Sequence, residues 1–233
     1  MAKLGIIGAM DVEVATLKER MEDMSIRTIA GSAYCEGKLE GMEAVVVQCG
    51  VGKVNAALCA QILCSCFNVD YIVNTGIAGS LNAMLDIGDF VISTDAVYHD
   101  MDATNFGYPM CQVPGMSVLS FPADEKLAAL AYNVAEQIHP GHVSCGRVAT
   151  GDQFVADKQL KNKIIENTEA YCTEMEGAAI AHTAWKNGVP FVIIRAISDK
   201  ADDSAEMDYP TFEAQAAQRC AQVTQALAKE LNH

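Results

Sequence analysis

The chain has 233 residues, 51% of them hydrophobic, enough for one large domain with a sizeable core and too many for a disordered chain. Its 30 acidic and 16 basic residues give a formal net charge of −14 with no basic cluster, which argues against nucleic acid and anionic membranes as partners and favours a small neutral or cationic ligand. No apolar run approaches the roughly eighteen residues that span a bilayer.

The opening MAKLGIIGAM carries a short apolar strand at 4–7 and enters a patterned helix directly, with no signal-peptide cleavage region. That helix is predicted over 12–24, with Val14, Leu17 and Met21 on one face and Glu13 in its first turn, where the helix dipole favours a carboxylate. Segments 28–39 and 42–48 form a hairpin broken at Glu40-Gly41. Gly50-Val51-Gly52-Lys53 then opens a helix through Phe67. It lacks the glycine offset and the Ser/Thr of a phosphate-binding P-loop, so close strand–helix packing is the better reading. The nine cysteines are an odd number, several of them in apolar contexts. They read as small buried hydrophobes of a reducing, cytoplasmic compartment, and neither they nor the five scattered histidines have metal-site spacing.

A strand at 70–74 ends in Thr75-Gly76-Ile77-Ala78-Gly79, expected to be a loop whose glycines expose backbone N–H groups to a ligand. A strand at 88–97 leads to Tyr98-His99-Asp100, and 105–115 (NFGYPMCQVPG) is a hydrophobic loop of the kind that forms interfaces or lids. A helix at 124–138, a strand at 142–149 ending before Thr150-Gly151-Asp152-Gln153-Phe154, and a helix at 158–166 follow. A short strand at 170–173 runs into Glu174-Met175-Glu176-Gly177 and a small-residue helix through Trp185. Segment 191–194 is a continuous apolar strand covered on both faces, expected to leave the sheet at Arg195, with Ser198 and Asp199 just beyond. A final amphipathic helix covers about 209–231. Strands alternate with helices throughout and no linker interrupts them, which predicts a single α/β domain over 1–233 with a central mixed, largely parallel, twisted sheet flanked by helices.

Glu13, the 76–79 stretch, Phe154, Glu174 with Glu176, and Arg195 with Asp199 all sit just past strands. Helix capping explains any one of them. An aromatic ring, an arginine and several acids gathered at one sheet edge point instead to a shared site.

Six motifs, GIIGAMDVEV, NTGIAGS, YHDMDATNFGY, TGDQF, EMEGAAIAH and VPFVIIRAISD, resemble in order and spacing the 5′-methylthioadenosine/S-adenosylhomocysteine nucleosidases of the purine nucleoside phosphorylase-like family. The resemblance covers nearly the whole chain. It implies a nucleoside phosphorylase-like fold and hydrolysis of the N-glycosidic bond between adenine and a 5′-thio-substituted ribose, with no metal or organic cofactor. On that resemblance Asp199 protonates the adenine N7, oriented by Ser198, and Glu13 activates the attacking water. Glu176 holds the ribose hydroxyls beside Met175, and Arg195 lies near the water and the acids. Phe154 stacks on adenine and the Val155 backbone meets its edge. Met10, Val51 and Tyr209 wall the sugar and thioalkyl pocket, and Ile77, Ala78, Gly79 and Glu174 complete the lining. Phe106, Tyr108 and Pro114 match residues contributed by the partner of a homodimer. The family often has serine where this chain has Ile77, which removes a hydroxyl near the water and an oxyanion ligand. Three alternatives stay open: a phosphorylase using phosphate, a hydrolase of an aminodeoxyfutalosine-type nucleoside, and a purine-binding sensor without catalysis.

Overall fold

The computed structural model describes residues 2–202 and 205–232. The chain opens with β1 (Lys3–Gly8) and α1 (Asp11–Glu19), followed by β2 (Glu22–Ile29), β3 (Ser32–Leu39) and β4 (Met42–Gln48). The predicted first helix therefore stops five residues early, and a strand takes over where Met21 had suggested another helical turn. The expected single hairpin is a three-stranded meander. Both of its connections are two-residue turns with positive φ throughout: Ala30-Gly31 at 49° and 82°, Glu40-Gly41 at 51° and 80°. That left-handed pair matches the twist of the strands that it joins. The first turn escaped notice because alanine is an unusual residue at such a φ.

Next come α2 (Lys53–Ile62), closed by a π turn over Leu63–Phe67, then β5 (Tyr71–Ser80), β6 (Phe90–Tyr98) and the two-residue β7 (Phe121–Pro122). The chain continues through α3 (Glu125–Ile138), β8 (Val143–Thr150), α4 (Lys158–Thr168), β9 (Cys172–Glu174), α5 (Gly177–Asn187), β10 (Phe191–Asp199) and α6 (Ala205–Leu231). Asp124 caps α3 by accepting from the Leu127 amide at 2.8 Å, and Asp157 caps α4 through the Gln159 amide at 2.7 Å.

Two strands are longer than expected. The 75–79 stretch is the second half of β5, not a loop, and β10 carries Arg195 inside the sheet instead of releasing it there. Each extension depends on the other, because Arg195 pairs with Gly76, Ile197 with Ala78, and Asp199 with Gly79. β4, β1, β5 and β10 run parallel, while β10–β6, β5–β9 and the meander are antiparallel. The sheet is mixed, as predicted, but its path β5–β9–β8–β6–β10 returns to β5. Five strands thus close a ring, with β1, β4, β3 and β2 extending from it, and closure satisfies edges that an open sheet would expose.

The two faces bury different residues of the same strands. Leu4 and Ile6 of β1, Ala44 and Val46 of β4, and Val192 and Ile194 of β10 pack under α1, α3 and α6. Ile7, Val45, Val47 and Ile193 pack on the opposite face under α2 and α5. Covering both faces is why these strands read as unbroken apolar runs.

Candidate active site

Where β1, β5, β9 and β10 end, a cleft of about 560 Å³ opens. Met10 and Glu13 reach it from the start of α1, Val51 from the turn before α2, and Ile77, Ala78 and Gly79 from β5. Phe154 and Val155 come from the segment after β8, and Glu174, Met175 and Glu176 from the β9–α5 junction. Ser198 and Asp199 close β10, and Tyr209 of α6 lies across the mouth. Arg195 does not line the cleft; it is buried beneath it, 1% exposed, as the hub of the carboxylates. Phe106, Tyr108 and Pro114 lie outside the cleft of their own chain.

Glu13 is 2% exposed and three backbone amides hold its carboxylate. Ala9 and Met10 donate to Oε2 at 2.7 and 3.0 Å, and Ile77 donates to Oε1 at 3.1 Å. Burial pushes its pKa above the ordinary carboxylate value, against the opposing pull of Arg195 and these amides. The Ile77 contribution is its main chain: the amide serves Glu13, and the carbonyl accepts from Arg195 Nη1 at 3.3 Å. A serine side chain is not required for either bond, so the departure at this position leaves the anchoring of Glu13 intact.

Glycine at position 76 is dictated by proximity. A Cβ there would stand 2.3 Å from Glu13 Oε1 and 2.4 Å from Arg195 Nη1. Any side chain would separate the carboxylate from the guanidinium, which are 4.0 Å apart.

Glu174 ties the hub to α5. Its Oε2 accepts from the Glu176 and Gly177 amides at 3.0 and 2.7 Å and from Arg195 Nη2, while Oε1 accepts from the Thr150 hydroxyl. Such complete pairing makes Glu174 an orienting group with little capacity left for a ligand. Glu176 has more freedom: Oε1 accepts from the Gly52 amide at 2.9 Å, and Oε2 is 3.8 Å from Arg195. Burial, then the Glu174 charge, raise its pKa to about 7 despite Arg195. A raised folded-state pKa means that this carboxyl favours the fold most below its unfolded value, and the contribution is lost as pH rises through about 7. At neutral pH, burial of the Glu176 carboxyl is therefore a cost to the protein's stability.

Asp199 is 3% exposed. The Ser198 hydroxyl donates to Oδ2 at 2.8 Å and the Ala201 amide to Oδ1 at 2.8 Å. A bulge between Ile197 and Asp199 breaks the register of β10 against β5 at this point. Bulges re-aim side chains, and this one brings Ser198 and Asp199 together to the cleft. At the mouth, Phe154 is half exposed and meets Tyr209 edge-on, with centroids 5.5 Å apart and planes at 85°. The Tyr209 hydroxyl is 3.3 Å from Met10 Sδ and 3.1 Å from Glu213 Oε1.

Sequence reasoning missed Ala9, Gln153 and Thr173 in the lining, and the support from Asn74 and Thr150. Asn74 accepts from Arg195 Nη2 at 2.5 Å and donates to the Ile7 carbonyl at 3.0 Å. A buried amide inside the apolar run YIVNTG was the available signal, since an interior polar side chain must find partners.

Buried carboxylates on separate walls of a cleft, one anchored by amides and arginine and another by a hydroxyl, are suited to moving two protons at two places. Comparison with known proteins agrees. The sequence model of the phosphorylase superfamily matches residues 3–229. A 5′-methylthioadenosine/S-adenosylhomocysteine nucleosidase of Staphylococcus carnosus is 40% identical over 229 residues, 98% of this chain and 100% of that protein. A crystal structure of the Neisseria meningitidis nucleosidase of the same name, in complex with methylthio-immucillin-A, superposes with a TM-score of 0.96 at 36% identity, covering 99% of this chain and 100% of that one. A futalosine hydrolase mutant of Helicobacter pylori superposes with a TM-score of 0.94 at 32% identity, covering 99% and 100%. The chain belongs to the phosphorylase superfamily, within its 5′-methylthioadenosine/S-adenosylhomocysteine nucleosidase family.

Proposed function

We propose that the protein hydrolyses the N-glycosidic bond of 5′-methylthioadenosine and S-adenosylhomocysteine, releasing adenine and the 5-thio-substituted ribose. The observation that carries the assignment of roles is the separation of Glu13 from Asp199: one sits at the β1–α1 junction within 4.0 Å of Arg195, the other at the far end of β10 between Ser198 and Ala201.

Adenine is a poor anionic leaving group, so a proton must reach it as the C–N bond stretches. An N7 lone pair facing Asp199 repels the carboxylate and favours the acid, which donates. Phe154 supplies a face for the purine and the Val155 backbone its edge. As the bond breaks the ribose becomes oxocarbenium-like, and the carboxylates around Arg195 stabilise that positive charge. Glu176 accepts from the ribose hydroxyls. Glu13, ionised, removes a proton from the water that attacks the anomeric carbon. The apolar surface of Met10, Val51 and Tyr209 receives the sulfur substituent.

Water is the nucleophile in this scheme because, among the described residues, Arg195 is the cation nearest the carboxylates, and both of its Nη groups are taken up by Glu174, Asn74 and the Ile77 carbonyl. Adenine and methylthioribose are therefore expected to form at the same rate with and without inorganic phosphate. Strict phosphate dependence with a sugar-1-phosphate product would overturn the hydrolytic assignment. Parallel assays with an aminodeoxyfutalosine-type nucleoside separate the second hydrolase reading.

The active unit we propose is a homodimer. Phe106 is 84% exposed, and none of residues 105–115 reaches its own cleft as a lid would. Beside the cleft residue Val51, α2 presents Val54 and Leu58, 72% and 50% exposed at helical spacing, an apolar face for a second copy. Mixing an Asp199→Asn chain with a Tyr108→Ala chain should give activity above either parent, since one mixed pocket combines both lesions and the other carries none. A fully active monomer in sedimentation, or no rescue after proven subunit exchange, would count against it.

A further inference from the structure

The first turn of α2 has no cap of its own. Its N-cap residue is Gly52, with φ 98° and no side chain to accept from the leading amides. Both leading amides are nevertheless satisfied by carboxylates from distant segments. Gly52 N donates to Glu176 Oε1 at 2.9 Å, and Lys53 N donates to Asp152 Oδ1 at 2.9 Å. One helix end is thus shared between the carboxylate assigned to the sugar and the residue next to the stretch Gln153-Phe154-Val155 that lines the base end of the cleft. The positive end of the helix dipole favours both charges.

The Lys53 side chain closes the arrangement. Its Nζ lies 2.6 Å from Asp100 Oδ2 and 3.6 Å from Asp152 Oδ2, and it stands 5.5 Å from the centroid of the Tyr98 ring. Asp100 Oδ2 also accepts from the Asp152 amide at 3.0 Å. Burial works against the Asp100 anion, yet Lys53 and this amide outweigh it and hold the carboxyl below its ordinary value. Beneath the clamp, the ring of His99 lies so close to Gly151 that a Cβ there would be 2.3 Å from it. Three segments, the turn before α2, the turn after β6 and the base-side segment after β8, are drawn together by groups that do not line the cleft.

We propose that Asp152, Lys53 and Asp100 are positioning residues that set the base-side segment and Glu176 against one helix end, so that the purine and ribose subsites are formed together. The proposal rests on the nucleosidase reading for its ligand. A clamp that aligns two subsites acts on assembly of the enzyme–substrate complex more than on proton transfer within it, so its loss appears in KM more than in kcat. Its charged members are partly exposed, with side-chain exposures of 24% for Lys53, 21% for Asp100 and 51% for Asp152, so salt can weaken it. Methylthioadenosine is uncharged, and salt has no comparable effect on its encounter with the protein.

Steady-state kinetics of the full chain on methylthioadenosine tests this, in Lys53→Met, Asp152→Ala and Asp152→Asn, at low and high sodium chloride. Asp152→Ala is expected to raise KM about tenfold while kcat falls less than about threefold. Asp152→Asn, which can still accept from the Lys53 amide, should recover part of that loss. Wild-type KM should rise severalfold with salt, and Lys53→Met should show a raised KM at low salt that salt no longer changes. An unchanged KM in Lys53→Met and Asp152→Ala overturns the clamp, as does a loss confined to kcat or a salt response that survives in Lys53→Met. Failure of the wild-type protein to cleave methylthioadenosine is a different result and overturns the functional reading instead.

Discussion

Asp199→Asn should lower turnover roughly 10²- to 10⁴-fold, the usual loss when a general acid is removed, while leaving the fold and nucleoside binding close to wild type. The structure explains why the two effects separate. An asparagine keeps one oxygen, which can accept from the Ala201 amide as Asp199 Oδ1 does at 2.8 Å. Its NH₂ group then faces the Ser198 oxygen, now 2.8 Å from Oδ2. The Ser198 hydroxyl can rotate and accept, because a hydroxyl both donates and accepts. Neither anchor is lost. An amide can donate a hydrogen bond to N7 but cannot surrender the proton, so adenine must depart unprotonated. Turnover and ligand-induced thermal shift, measured on the same preparation, check both halves. Near-normal turnover in a correctly folded variant would remove Asp199 from the acid role.

Glu13→Gln should be comparably damaging, roughly 10²- to 10⁴-fold in kcat/KM, for a different reason. Both Glu13 oxygens accept from backbone amides, two bonds on Oε2 and one on Oε1. A glutamine amide group must therefore turn an N–H toward at least one backbone N–H and cannot reproduce the wild-type pose. The neutral side chain also relieves the burial that raises the Glu13 pKa, which offsets the lost bond, so the variant should fold. The pH profile carries the sign. A base works only when ionised, so activity falls as pH drops through its pKa, and a raised pKa places that fall above the ordinary carboxylate range. Glu176, whose pKa is raised to about 7, adds a second free-enzyme group on the acid side. The acid limb of wild-type kcat/KM is thus expected above the ordinary carboxylate range, with the Glu176 contribution near pH 7. An acid limb at ordinary carboxylate pH, or near-normal kcat/KM in the variant, would show that Glu13 is not the base.

Much of this protein was determined by the sequence alone. The apolar run of β10 announced a strand buried on both faces, because a strand covered by helices on each side needs no polar residue, and the runs of β1 and β4 announced strands. The predicted starts of α3 and α4 hold to within a residue, and the structure shows Asp124 and Asp157 capping them through local chemistry. Glu13, Glu174, Glu176 and Asp199 could be grouped as one site because each follows a strand, and the six ordered motifs supplied the family. These signals are local or periodic, and a linear chain carries them complete.

Tertiary structure decided what depends on partners far apart in sequence. Whether 75–79 is loop or strand is settled by β10, more than a hundred residues away, since pairing with that strand runs along the whole stretch. The same pairing keeps Arg195 inside the sheet, where the 4.0 Å approach to Glu13 is allowed only by the missing side chain at Gly76. Ile77 looked like a defect because a side chain is what a sequence displays; the working group is its amide. The end of α1 at Glu19 and the strand at Glu22–Ile29 were hidden for a related reason. An edge strand exposed along almost its whole length has no buried face to impose a period of two, and its place is fixed by hydrogen bonds to β3. Sharing of one helix end by Glu176 and Asp152 leaves no pattern in the chain at all, because three separate segments must meet before the amides and carboxylates exist as a pair.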